Sequence, residues 1–223
     1  MSQAQQPQRM HVDVVSDVVC PWCFIGKRRL ALALGRAAAE HPRLTFAVNW
    51  HPFQLNPELP SEGVDRRSYL EAKFGGPERA AEIYARVRAA GETVDIPFAF
   101  ERIERQPNTL DAHRLVSWAQ ARGASDAIVE RLFVAYFLEG RHIGSRDVLA
   151  DLAGEAGLDR DAARAMLASD EGVDTIGALD RRVRELGVSG VPFFIFGDKV
   201  AVSGAQEPAV LCDAMAQALA TPD

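Results

Sequence analysis

The sequence predicts an α/β protein in which an all-helical domain, residues 61–171, is inserted into a discontinuous sheet domain, residues 8–60 and 172–221. Three observations predict this. A strand, helix and strand pattern fills the first 50 residues, and a βαβ unit implies a right-handed crossover. Helical periodicity without a convincing strand then runs from about 65 to 170. An αββα pattern closes the chain.

Val12 and Val14 alternate with His11 and Asp13, so residues 10–16 read as a strand. A helix follows from Pro21 with Ile25, Leu30, Leu32 and Leu34 as apolar positions. It stops at Glu40 before His41-Pro42, because a residue that precedes proline is pushed out of the helical region. Leu44, Phe46, Val48 and Trp50 alternate with Thr45, Ala47 and Asn49 as a second strand. In the insert, helices are predicted near 66–74 and 77–90, and from Asn108-Thr109-Leu110-Asp111 to Gly123. Others run from Ser125 as N-cap through Phe137, from Ser145 to Gly157 and from Asp159 to Ala168. A helix near 172–186 leads to Phe193-Phe194-Ile195-Phe196, a Gly197-Asp198 turn and Lys199 to Ser203, the pattern of an antiparallel hairpin. Glu207 onward reads as a terminal helix with Leu211, Met215 and Leu219 on one side.

Cys20-Pro21-Trp22-Cys23 places two thiols one helical turn apart at the junction of the first strand and its helix. A sulfur at a helix N-terminus faces free N–H groups and the positive end of the macrodipole, which favour a thiolate. Cys20 therefore reads as the nucleophile. Pro21 suits the first helical position, where its missing N–H is no loss, and Cys23, a turn deeper, reads as the resolving thiol. No metal is expected, since no second C-x-x-C or H-x-x-x-H completes four ligands.

Net charge is −6, without a polybasic run, which argues against nucleic acid. No stretch approaches ~20 consecutive apolar residues, so no membrane span is expected. The polar segment Met1 to Met10 has no apolar signal core, which points to a cytoplasmic protein. In a reducing compartment C-x-x-C is more often catalytic or metal-binding than a structural staple.

The element order together with Cys20-Pro21-Trp22-Cys23 and Gly190-Val191-Pro192 resembles the thioredoxin fold with a large inserted helical domain, as in the DsbA family. CPWCFIGKRR (20–29), WHPFQLNP (50–57), NTLDAHR (108–114) and SGVPFFIFGDKVAVSGAQ (189–206) are similar to its FrnE-like branch. That branch is related to 2-hydroxychromene-2-carboxylate isomerases and kappa-class glutathione transferases. The resemblance implies a cis Val191-Pro192 bond facing the dithiol, with the Val191 backbone pairing with substrate beside Pro21 and Trp22. It implies thiol–disulfide oxidoreductase activity on protein or peptide substrates, with no cofactor beyond the redox disulfide. Trp22 stands where DsbA carries a thiolate-stabilising histidine, so an extreme oxidant is not expected.

The alternative is a glutathione-dependent isomerase or transferase, with glutathione as co-substrate. In this reading Gly204-Ala205-Gln206 opens the last helix and its N–H groups face the γ-glutamyl carboxylate. The transferases carry Ser-Asp at Ala205 and Gln206, and serine where this chain has Cys20.

Asn108 and His113 are candidates to line the cleft opposite Cys20; equally, Asn108 caps its helix while His113 and Arg114 lie on the surface. Trp50 and Phe53 suit core packing and His51 the cleft. Asp13 and Asp17 are candidates for a carboxylate that handles the Cys23 proton. Cys212, without a partner cysteine nearby, reads as a buried hydrophobe.

Overall fold

The computed structural model describes residues 8–222. The polar segment before residue 8, and the reading that it carries no export signal, lie outside the described residues. β1 (Gln8–Ser16), α1 (Pro21–Glu40) and β2 (Leu44–Pro52) form the opening crossover. The last third holds α8 (Val173–Glu185), β5 (Phe193–Phe196), β6 (Val200–Ser203) and α9 (Pro208–Ala220), once β3 (Val64–Asp65), α2 (Arg66–Phe74), α3 (Pro77–Glu92), β4 (Arg105–Gln106), α4 (Leu110–Gln120), α5 (Ser125–Phe137), α6 (Arg146–Glu155) and α7 (Arg160–Ala168) have intervened. The main sheet runs β2-β1-β5-β6. β1 and β2 are parallel, with Val14 opposite Trp50, and β5 pairs antiparallel with Val14 opposite Phe194. This is the thioredoxin fold with a helical insertion.

Alternation in β1 decides what each face receives. Met10, Val12 and Val14 are buried in the main core with Phe24, Ile25 and Leu211, between the sheet and the α1/α9 layer. Val15 turns the other way, into a smaller cluster with Phe53, Val183 and Val188 beneath α8. One apolar cluster continues from the sheet into the insert. Phe24 of α1 stacks on Phe133 at 5.1 Å and meets Phe98 edge-on at 6.0 Å. Burying such a ring stabilises by roughly 1.5–3 kcal/mol, so the helix that carries the cysteines is anchored from behind by the insert. Lys27 adds ion pairs to Asp126 (2.9 Å) and Glu130 (3.1 Å) of α5.

Four expectations change. The insert contains a strand pair, β3 with β4, joined by Val64 opposite Gln106; two residues per strand are too few to print a period. Ser125 is the first helical residue rather than the cap, which is Ala124, and its hydroxyl caps nothing. The turn closing α4, with the Ala124 N–H donating to the Ala119 carbonyl at 3.0 Å, sets that start. Cys212 is half-buried, its thiol donating to the Ala33 carbonyl at 3.7 Å. Finally, α9 begins at Pro208 with Glu207 as N-cap. Gly204, Ala205 and Gln206 thus precede the helix instead of opening it, because Pro208 supplies the preset first turn. The helices expected from Ser145 and Asp159 do start there, and each of these residues caps its helix, its side chain accepting from the first turn.

Candidate active site

The end of β1 delivers the Cys20-Pro21-Trp22-Cys23 motif to the start of α1. Cys20 is the N-cap in extended conformation and Pro21 the first helical residue. The Cys20 carbonyl accepts from the Cys23 N–H at 3.0 Å, closing the first turn and stacking one sulfur-bearing residue over the other. Cys20 is 5% exposed and Cys23 1%, whereas Trp22 presents 38% of its surface to solvent.

Val191 faces this turn from the strand β5 side. Its carbonyl accepts from the Cys20 thiol at 3.6 Å, and the peptide bond it forms with Pro192 is cis. The Pro192 carbonyl accepts from the Gly204 N–H at 2.8 Å, which ties the loop to the end of β6. Gly26 makes this approach possible. A Cβ there would sit 2.9 Å from Pro192 Cγ and 3.1 Å from Phe194 Cζ, so α1 and the Pro192 loop touch only because position 26 has no side chain.

Beneath the pair, burial pushes the Cys23 thiol well above the ordinary value of 9.0, and hydrogen bonding to Cys20 and its charge push the same way; the Ser16 hydroxyl and the Asp17 backbone pull against them. A thiol with a raised folded pKa stabilises the fold fully below the unfolded value and loses that contribution as pH rises toward the folded one. The denaturation midpoint of the reduced protein is therefore expected to fall from about pH 8 to about pH 10 by more than that of Cys23→Ala, measured by urea unfolding at each pH.

Asp17 is fully buried, and its carboxylate accepts from the Leu55 N–H at 2.8 Å and meets His113 Nε2 at 3.3 Å. His113 is thus buried behind the motif, and with Ser16, Trp50, His51 and Gln120 it lines a cavity of about 140 Å³. Asp13 is elsewhere: strand alternation turns it to the α8 face, where it binds His51 Nε2 at 2.7 Å and accepts from Asn49 at 3.2 Å. Asn108 clamps the loop that follows β2. Its side-chain amide donates to the Leu59 carbonyl at 2.7 Å while its oxygen accepts from the Leu110 N–H at 2.9 Å. Arg114 is buried rather than on the surface, because its guanidinium donates to main-chain carbonyls at the end of α7 and in the turn before α8.

The residues proposed for glutathione are brought near α1 by another route. Ala205 accepts through its carbonyl from buried Arg29 at 2.7 Å, and Glu207 pairs with the same guanidinium at 2.6 Å. A carboxylate of the chain itself therefore stands at the start of α9. Gln206 donates from its side chain to the Ser203 carbonyl at 3.0 Å. Among the described residues no group of three or more His, Cys, Asp or Glu side chains converges as a metal site, and no helix is long and apolar enough to cross a membrane.

Two features escaped sequence reasoning. Ser16 under Cys23 had no signal beyond its place before Asp17. Arg66, buried with Tyr84, Tyr136 and Gln106, looked like one basic residue in a polar run.

The DSBA-like thioredoxin domain model matches residues 11–216. The chain belongs to the DsbA-like thioredoxin family. It is 29% identical over 192 residues to the uncharacterised protein YwbO of Bacillus subtilis (strain 168), covering 86% of this chain and 88% of that one. The crystal structure of a probable DsbA oxidoreductase from Streptomyces coelicolor superposes with a TM-score of 0.86 at 30% identity, over 96% of this chain and 92% of that one. A 2-hydroxychromene-2-carboxylate isomerase shares the fold, with a TM-score of 0.68 at 18% identity, over 93% of this chain and 95% of that one. This DsbA-like chain thus places two cysteines on a fold that it shares with a 2-hydroxychromene-2-carboxylate isomerase.

Proposed function

We propose that this DsbA-like protein is a FrnE-like thiol–disulfide oxidoreductase that exchanges disulfides of protein or peptide substrates through Cys20 and Cys23. The observation that carries the reading is the Cys20 sulfur at the N-cap of α1, 3.6 Å from the Val191 carbonyl, with Cys23 buried one turn behind. Cys20 as thiolate attacks one sulfur of a substrate disulfide, forms a mixed disulfide and releases the other sulfur as a thiolate. Cys23 then gives up its proton, attacks the Cys20 sulfur and expels the second substrate thiolate, leaving Cys20–Cys23 oxidised. The same steps in reverse oxidise a dithiol. The two sulfurs carry both electrons, so no resident cofactor is needed. Val191 and Pro192 form the wall against which substrate backbone lies, with Pro21 and Trp22 opposite.

Glutathione-dependent isomerisation is the weaker reading. It needs an anion-accepting start to α9, and the N-cap residue there is Glu207, whose carboxylate makes no capping hydrogen bond but pairs with Arg29, so an incoming carboxylate would meet like charge. The deciding experiment equilibrates the protein with glutathione redox buffers and traps free thiols, with Cys20→Ser as control. A two-electron transition between about −270 and −200 mV is expected, the range of thioredoxin and glutaredoxins rather than the ~−120 mV of a strong oxidant. Failure to form an intramolecular disulfide at any poise overturns the proposal.

A further inference from the structure

Between Trp22 and the helices α2 and α3 lies a pocket of about 230 Å³, with walls that include Val19, Leu55, Leu70 and Val87. Its polar groups have one character. Tyr69, Tyr84, Asn56, Gln106 and Lys73 reach it, and no Asp or Glu lines it, although the chain carries a net charge of −6. Behind the pocket Arg66 is only 4% exposed. Its guanidinium donates to the Tyr84 hydroxyl at 2.9 Å, the Tyr136 hydroxyl at 2.6 Å and Gln106 Oε1 at 2.9 Å, all neutral groups. At the rim Lys73 donates to the Tyr69 hydroxyl at 2.8 Å. Among the described residues neither cation has a carboxylate within ion-pair distance.

A buried cation without an anion is costly, and a hydroxyl that accepts from a cation becomes a stronger donor through its own proton. Tyr84 is such a hydroxyl, and its proton has no acceptor among the described residues. It shares the pocket wall with Val19, Pro21 and Trp22, the neighbours of Cys20 in the chain; burial is the main cause of its raised pKa, and the charge on Cys20 adds to it. Because residues on either side of Cys20 form part of the pocket's wall, a group carried on the disulfide that Cys20 attacks can reach it.

We propose that this pocket binds a carboxylate carried on an apolar stem beside the disulfide, which makes acidic disulfides the preferred substrates. Tyr84, backed by Arg66, donates to the carboxylate; Lys73 supplies charge at the rim; Trp22 and Leu55 cover the stem. The inference rests on the exchange reading above.

The test measures, for the reduced full-length protein, rates with 5,5′-dithiobis(2-nitrobenzoate), an aromatic disulfide with a carboxylate on each ring, and with neutral 4,4′-dithiodipyridine. Each rate is divided by that of 2-mercaptoethanol. The normalised ratio is expected to favour the carboxylated disulfide by roughly tenfold, the worth of a hydrogen bond to a charged group, and to shrink with added salt. Lys73→Gln lowers the ratio about threefold to fivefold and Tyr84→Phe about tenfold. Arg164→Gln, which removes a charge outside the pocket, leaves it unchanged. Lys73 is at the rim, so its variant carries the test even where Tyr84→Phe loosens Arg66. A ratio near one, or one that neither variant moves, overturns the proposal. Failure to react with either disulfide refutes the exchange chemistry itself. Small thiols and acidic protein segments share this chemistry. Oxidised glutathione is therefore compared with its ethyl ester, and a peptide disulfide with Asp beside Cys is compared with its Asn counterpart. The pair with a Lys73-dependent gap names the source, and a gap in neither overturns the assignment.

Discussion

Cys23→Ser is expected to stop exchange half-way, leaving substrate joined to Cys20 as a stable mixed disulfide visible on a non-reducing gel. The reason is geometric. Cys23 is 1% exposed and sits one turn behind Cys20, so no solvent thiol can take over its approach to the Cys20 sulfur along the same path. External thiol can still resolve the adduct from the open side, where Trp22 is exposed, and excess glutathione should release the substrate slowly. Cys20→Ser has the larger effect. A serine hydroxyl is almost wholly protonated at neutral pH, and removal of a nucleophile typically takes orders of magnitude from the rate. A loss of about 10³-fold or more in insulin reduction, with no adduct formed, is the expected outcome. Adducts forming in Cys20→Ser but not in Cys23→Ser would reverse the two roles.

Arg114→Ala is expected to destabilise the protein by about 3–5 kcal/mol, read as a lower urea midpoint. Arg114 is 2% exposed. Its guanidinium donates to the carbonyls of Glu171 (2.7 Å), Met166 (3.0 Å) and Ser169 (2.6 Å), and pairs with Asp111. These carbonyls belong to the end of α7 and the turn that leads into α8. The side chain therefore ties α4 to the end of α7 and to the turn by which the chain enters α8. Removing it takes the donor from the part-buried carbonyls of Glu171 and Ser169, each costing about 1–3 kcal/mol, while the Met166 carbonyl keeps the Ser169 N–H and hydroxyl. Asp111 is less affected, since Arg146 also holds it at 2.7 Å. Arg114→Lys should recover only part of the loss, because an ammonium cannot span several carbonyls as the planar fork does. A midpoint unchanged in Arg114→Ala would show that the connection holds without it.

Arg114 also marks where reading the sequence stops. An arginine on an amphipathic helix has the same local signature whether it points to solvent or into a ring of carbonyls. His113 poses the same problem, and only the meeting of α4 with the end of β1 places it against Asp17. Asp13 and Asp17 were indistinguishable as candidates in sequence; strand alternation, fixed by pairing with β2 and β5, sent the first to His51 and left the second buried beyond the strand end. The β3–β4 pair joins residues some forty positions apart, and neither partner announces the other.

What the sequence by itself determined was local: a period-2 run in β1 and β2, a proline stop after α1, the Gly197-Asp198 hairpin, the helices of the insert, and two cysteines at the junction that makes a helix N-cap. Each depends on residues within one or two turns of one another, where side-chain type and spacing carry the physics. The tertiary structure alone decided what meets across the chain. It set Val191 against Cys20 at 3.6 Å, fitted Pro192 into the space that Gly26 leaves, and buried Arg66 among neutral partners beside the motif. Those contacts are between residues brought together by sheet order and helix packing, and such long-range burial has no signature in a short window of sequence.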